Sequence, residues 1–150
     1  MRIAIVVDTY DDMGNGTTVS ARRFVSELRK RGHFVKVLSY SQTPEPDKVL
    51  FDQYIVPIFQ PLIDKNRANI AKPDVKKFQQ EFLDVDFVHI YLSLPFGWTA
   101  AKVAYKMGVP VFTAFHLHPG NITYNLKLGH APLIEKLLFR LFKKKLYNYS

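Results

Sequence analysis

Cysteine is absent from this 150-residue chain. That excludes disulfides, thiolate nucleophiles and cysteine-based zinc sites, and it fits a reducing, cytoplasmic setting. Long apolar runs are absent too: none approaches the roughly 18–20 residues of a membrane-spanning helix. The first apolar run opens at Arg2 and reads as a core strand rather than a signal peptide. Acids are the scarcer charge, 13 Asp and Glu against 21 Lys and Arg, for a formal net charge of +8. That surplus favours an anionic partner such as a nucleotide, a nucleic acid or an acidic lipid. Nucleic acid is the weakest of these, because no helix-turn-helix, zinc finger or RNA-binding aromatic signature is present. What remains is 47% hydrophobic and 23% charged, the balance of a globular chain long enough for one domain with a real core.

The periodicity alternates between strand and helix. It predicts strand 2–8, helix 17–31, strand 33–40, a short strand at 54–57, helix 73–83, strand 86–91, helix 97–107, strand 109–115 and helix 132–147. The strands are continuous apolar runs, as expected when both faces are covered. Thr17 or Thr18 can cap the first helix, Gly32 and Gly108 can terminate helices in the left-handed region, and Pro73 suits a first helical turn. The pattern predicts an α/β fold: a doubly wound parallel sheet with helices on both faces and right-handed crossovers. The expected strand order is 3-2-1-4-5, with the switch point between strands 2–8 and 86–91. Residues 41–72, with Pro44, Pro46, Pro57 and Pro61, read as an irregular loop region. A doubly wound unit normally returns to the sheet after a helix such as 132–147, so the sequence reads as a fragment of a longer protein.

Four stretches carry candidate chemistry. The loop Gly14-Asn15-Gly16-Thr17 follows the first strand, where ligands bind in open α/β sheets and where helix N-termini favour phosphate. It is not a dinucleotide fingerprint: Val19 stands at the third glycine position, and the second strand ends in Ser39-Tyr40-Ser41 without an acid. No Gly-Lys-Ser/Thr ending makes it a P-loop either. The competing explanation is a turn that uses glycine for positive φ. The second stretch, at the end of strand 109–115, gathers Thr113, His116, His118, Asn121, Thr123 and Tyr124; a histidine there can bond a sugar hydroxyl or move a proton. His116 and His118 lack a neighbouring carboxylate, so no metal is expected, and either can equally be a loop-packing residue. In the third, His89 reads as a core histidine, Tyr91 and Ser93 as cleft-facing, and Gly97 as a helix start able to meet a polar ligand. The fourth is helix 132–147. It carries Lys136, Arg140, Lys143, Lys144 and Lys145 against the single acid Glu135, beside an apolar stripe. Such a helix can lie on an anionic membrane or pack on the sheet with a basic rim.

Taken in order, several segments resemble the N-terminal domain of GT-B glycosyltransferases, specifically the family-4 retaining group. They are Arg2 to Gly16, Leu28-Arg29-Lys30-Arg31-Gly32-His33-Phe34-Val35, Asp84 to Tyr91, and Ala101 to Pro110 leading into Thr113-Ala114-Phe115-His116. The run His118 to Asn125 is most similar to bacterial enzymes that transfer glucose to diacylglycerol. The resemblance implies one of two Rossmann-like domains facing across a cleft. The absent C-terminal domain would bind most of a nucleotide sugar, expected to be a UDP-sugar and a substrate rather than a cofactor. By the same resemblance, Gly14, Asn15, Gly16 and Thr17 approach the donor, and His116 is catalytic or contacts the reacting sugar. Residues 42–72 with Tyr91, Ser93, His118, Asn121, Thr123 and Tyr124 would then hold the acceptor. Transfer would be of a hexose, retaining and metal-free, on glycolipids at the inner face of the plasma membrane, with the chain cytoplasmic or peripheral there. Tyr91 departs from relatives that carry a second histidine. Alone, the chain is expected not to catalyse, since transfer needs both reactants held together.

Two other classes compete. A stand-alone flavodoxin- or receiver-like binding module is suggested by Asp8, Asp11 and Asp12, but strand 86–91 ends in Tyr91-Leu92-Ser93 without a phosphorylatable Asp. A membrane-surface adaptor would need only the basic helix.

Overall fold

A computed structural model describes residues 1–57, 60–65, 69–92, 94–114, 120, 123–124, 131–145 and 149. The opening apolar run forms β1 (Arg2–Thr9). Its side chains alternate between two cores, Ala4 and Val6 on one face, Ile3, Ile5 and Val7 on the other. A strand sandwiched in this way has no polar face to show, which is why its sequence reads as an unbroken run.

Helix α1 (Gly16–Lys30) covers the second of these faces through Ala21 and Val25. Its N-cap is Asn15, whose Oδ1 accepts the Thr17 N–H at 2.9 Å, rather than Thr17 or Thr18. Thr18 turns inward instead and donates to the Thr9 carbonyl at 3.1 Å, bracing the turn from β1. Gly32, at φ +81°, ends the helix as expected. The chain returns as β2 (Phe34–Tyr40), parallel to β1.

The third strand is β3 (Lys48–Phe51), not the expected 54–57. Val37 to Tyr40 of β2 pair in parallel with Lys48 to Phe51. Residues 54–57 lie beyond it, just past Gln53, whose isolated antiparallel bridge is to Ala71. The short α2 (Gln60–Lys65) lies within the segment between those two residues. Helix α3 (Val75–Glu81) is capped by Asp74, which accepts the Lys77 N–H at 3.1 Å, so Pro73 stands before the cap and not in the first turn.

β4 (Phe87–Ile90) pairs with β1 on the side opposite β2. Helix α4 (Pro95–Lys106) starts two residues earlier than its periodicity suggests, because Pro95 suits the first turn, and Gly108 at φ +71° terminates it. β5 (Val111–Thr113) is shorter than the expected 109–115, whose last residue falls outside the described set, as do residues 146 and 147 of the expected last helix. That helix is α5 (Pro132–Lys145).

The sheet order is β3-β2-β1-β4-β5, all parallel, the order expected from the sequence. Helices α3 and α4 cover the face opposite α1. There Phe51, Phe78, Phe82 and Phe96 interlock, with ring centroids 4.8 to 5.6 Å apart. Each buried phenyl stabilises the fold by about 1.5–3 kcal/mol, so this cluster holds the short edge strand β3 in place.

Candidate functional site

The carboxyl ends of the strands converge where β1 lies between β2 and β4, the switch point of the sheet. The loop after β1 is ordered by its own polar groups. Asp12 accepts the Gly14 N–H on Oδ1 at 2.8 Å and the Asn15 N–H on its carbonyl at 3.1 Å. Of the Gly14, Asn15 and Gly16 N–H groups expected to line the cleft, the first two already have acceptors, as does the Thr17 N–H through the Asn15 cap. Gly16 is different. Positive φ among the described glycines occurs at Gly32 and Gly108, so neither Gly14 nor Gly16 is there for turn geometry. A methyl on Gly16 would meet nothing within 4 Å. The glycine leaves an opening at the N-terminus of α1 that nothing in the described chain requires.

A charged cluster anchors this loop. Asp11 Oδ2 accepts from the Ser41 hydroxyl at 2.6 Å and the Gln42 N–H at 3.1 Å, and its Oδ1 accepts from Lys48 Nζ at 2.8 Å. Lys48 also reaches Glu45 at 3.1 Å. Arg22 donates to the same Glu45 oxygen at 2.8 Å and to the Tyr10 carbonyl at 2.7 Å, with its guanidinium 4.3 Å from the centre of the Tyr10 ring. Burial pushes the Asp11 carboxyl up, but the hydrogen bonds from Lys48, Ser41 and Gln42 outweigh it and hold the group below its usual range. The Arg22 bond does the same for Glu45. Sequence reasoning noted Asp11 only as a receiver-like acid and missed Arg22, Glu45 and Lys48. Their separation along the chain left no local spacing to read.

Asp8 is the penultimate residue of β1 and is 1% exposed. Its Oδ1 accepts the Ala71 N–H at 3.2 Å, and burial pushes its pKa up to about 7. Ala71 is itself part of a neck: the Tyr54 N–H donates to the Ile70 carbonyl at 2.8 Å and the Lys72 N–H to the Asp52 carbonyl at 2.7 Å. Part of the region 42–72 is thereby tied directly to the switch point.

Other expected site residues fall differently. Tyr91 does not face an open cleft. It is 3% exposed, packed 4.9 Å from His89 and 6.4 Å from Phe24, with its phenol hydrogen-bonded to Ser20. It sits beneath α1, in the core that Ile3, Ile5 and Val7 share. His89 is a core residue, as expected, among Phe24, Tyr91 and Phe112. Gly97 has a packing reason: a methyl there would overlap the Leu92 carbonyl and approach Ile90 Cγ2 to 2.8 Å, so the glycine lets α4 press onto the end of β4. The buried Thr123 hydroxyl lies 3.0 Å from the Gly120 carbonyl and 3.1 Å from Glu135 Oε1, which makes it a tether to α5, while Tyr124 is exposed. Ser93, His116, His118 and Asn121 lie outside the described residues. Among the described residues no group of His, Asp or Glu converges in a way that could hold a metal.

Helix α5 buries Phe142, whose ring lies 6.4 Å from Trp98. Leu133 is 83% exposed and Leu137 66%, on a helix whose Lys136, Arg140, Lys143, Lys144 and Lys145 are exposed as well. The packing expected of this helix therefore uses little of its apolar stripe. No helix among the described residues is long and apolar enough to cross a membrane.

A family model described as Glycosyltransferase Family 4 matches residues 14–149. A GDP-mannose-dependent alpha-mannosyltransferase of Corynebacterium glutamicum is 25% identical over 138 residues, covering 89% of this chain and 33% of that protein. The chain spans about a third of the length of this curated relative.

Proposed function

This chain belongs to glycosyltransferase family 4, and from that membership we propose that it is the N-terminal, acceptor-side half of a two-domain enzyme. The enzyme transfers a hexose from a nucleotide sugar to an acceptor with retention of configuration. The second domain carries most donor contacts, and the cleft between the domains holds the reaction. Gly16 is the observation that carries this reading: its position at the switch point, the open space beside it and its ordinary φ leave the close approach of a donor phosphate or sugar as its reason. Asn15 fixes the helix end that points there, and the Asp11 cluster keeps the loop in register. His116 is assigned to the reacting sugar on the family resemblance. Residues 42–72, with His118, Asn121 and Tyr124, are assigned to the acceptor.

The acceptor in this reading is a membrane lipid, with diacylglycerol the first to test. The uncovered leucines and the lysines of α5 suit an amphipathic helix lying on an anionic inner leaflet. A UDP-sugar is the donor favoured by the resemblance to glucosyltransferases, and GDP-mannose is the donor in the name of the corynebacterial relative.

The test is transfer by the full-length protein from UDP-glucose or GDP-mannose to diacylglycerol in micelles containing phosphatidylglycerol, with the anomer of the product read by NMR. Gly16→Ala should lower kcat/KM by roughly tenfold or more, equivalent to about 1.4 kcal/mol of transition-state binding, without lowering the melting temperature. Full activity in Gly16→Ala would remove the argument for the loop. Binding to vesicles without turnover of any donor would favour the adaptor alternative.

A further inference from the structure

A cavity of about 420 Å³ runs along α4, bounded by α3 on one side and by Lys145 and Tyr149 on the other. That size falls in the range of small-molecule sites, roughly 300–1,000 Å³. Its charged side is cationic. Lys102 and Lys106 stand one turn apart on α4, and Lys145 joins them from the end of α5. Among the described residues no acid lines the cavity, and no ion pair engages these three lysines. Like charges one turn apart repel, and an anion between them reverses the sign of that interaction. The Thr99 hydroxyl is already spent on the Pro95 carbonyl at 2.8 Å, which leaves the Gln79 amide and the Tyr149 hydroxyl as neutral polar groups. The remaining wall is apolar and includes Trp98, whose indole N–H is buried without an acceptor among the described residues.

We infer that this cavity binds a phosphoryl group carried on a small organic moiety. Lys102, Lys106 and Lys145 hold the phosphate, and Trp98, Val75 and Val103 receive the organic part. The volume exceeds what a bare phosphate fills, and the apolar wall gives the remainder a surface to lie on. Two sources carry this chemistry, the headgroup of an anionic phospholipid and a soluble phosphorylated metabolite. The inference does not rest on the transfer reading, since the cavity lies along α4 and its lining among the described residues includes none of those assigned to donor or acceptor.

Trp98 is the only tryptophan in the chain, so its emission reports on the cavity directly. In one arm the purified full chain is titrated with glycerol 1-phosphate at constant ionic strength. In the other it is titrated with phosphatidylglycerol vesicles against phosphatidylcholine vesicles. The expected result is a saturable change in Trp98 emission in at least one arm, weakened roughly tenfold or more in Lys102→Gln/Lys106→Gln. Both lysines are exposed, so the double variant should keep its fold, which far-UV circular dichroism checks. A response confined to vesicles assigns the site to a lipid headgroup. A response to glycerol 1-phosphate without one to vesicles assigns it to a metabolite, and competition between the two assigns it to both. No response in either arm, a response reproduced by chloride, or one that the double variant keeps at full strength overturns the inference.

Discussion

Replacing Asp8 by Asn separates two roles that this carboxyl combines, accepting a hydrogen bond and carrying a charge. In the folded chain the group is buried at the end of β1, with the Ala71 N–H 3.2 Å from Oδ1, and burial lifts its pKa from 3.8 to about 7. The unfolded carboxyl loses its proton near pH 4, whereas the folded one keeps it until about pH 7. Between those values the folded state binds more protons than the unfolded one, so this group's contribution to stability is full below pH 4, falls as pH rises and levels off above 7. The shift is about 3 units; at about 1.4 kcal/mol per unit it amounts to about 4 kcal/mol across the window. Asn keeps the oxygen that accepts from Ala71 and has no charge to bury. Urea unfolding at pH 4.5, 6 and 8 should show Asp8→Asn close to the parent at the lowest pH and more stable by several kcal/mol at the highest. A constant difference across the three values, or a variant less stable at pH 8, would mean that Asp8 is ionised in the folded chain and that the burial argument is wrong.

Gly97→Ala sets helix propensity, worth about 1 kcal/mol in favour of alanine, against overpacking on the Leu92 carbonyl and Ile90, worth about 1–3 kcal/mol or more. The clash should win, and urea unfolding of the variant should show a net loss of stability; a neutral result would mean that α4 can lift off β4 freely. Asn15→Ala removes the cap of α1 and should cost about 1 kcal/mol, read as a lower melting temperature. Leu133→Gln/Leu137→Gln should leave the melting temperature unchanged, since both side chains are exposed, while reducing cosedimentation with phosphatidylglycerol vesicles; unchanged cosedimentation would remove α5 from the membrane reading.

The central strands were legible because burial on both faces leaves an unambiguous apolar run, and the glycine stops at Gly32 and Gly108 were legible because a left-handed residue has few alternatives. β3 was not. It is an edge strand of mostly half-buried residues beginning with Lys48, so its burial signal is faint, and the run at 54–57 looked no worse. At Gly97 the sequence offered a glycine opening a helix beside the switch point, a pattern that close packing and ligand approach share. Only the position of the Leu92 carbonyl separates them. Tyr91 was misread for a related reason: its place near a strand end is one-dimensional information, while the layer it enters is set by the core beneath α1. The Asp11, Arg22, Glu45 and Lys48 cluster was illegible because three separate segments build it. The family-level likeness drew instead on order and spacing along the whole chain, which survive errors of a few residues in any one element.

The neck formed by Gln53 and Ala71, with the Ala71 N–H bonded to Asp8, means that the residues between 53 and 71 enter and leave the domain at one fixed doorway. Lengthening such a closed excursion adds only about 0.6 kcal/mol per doubling, and the sheet is spared the change. The segment is therefore an exchangeable cassette: evolution, or a designer, can rewrite its sequence while inheriting the framework unaltered.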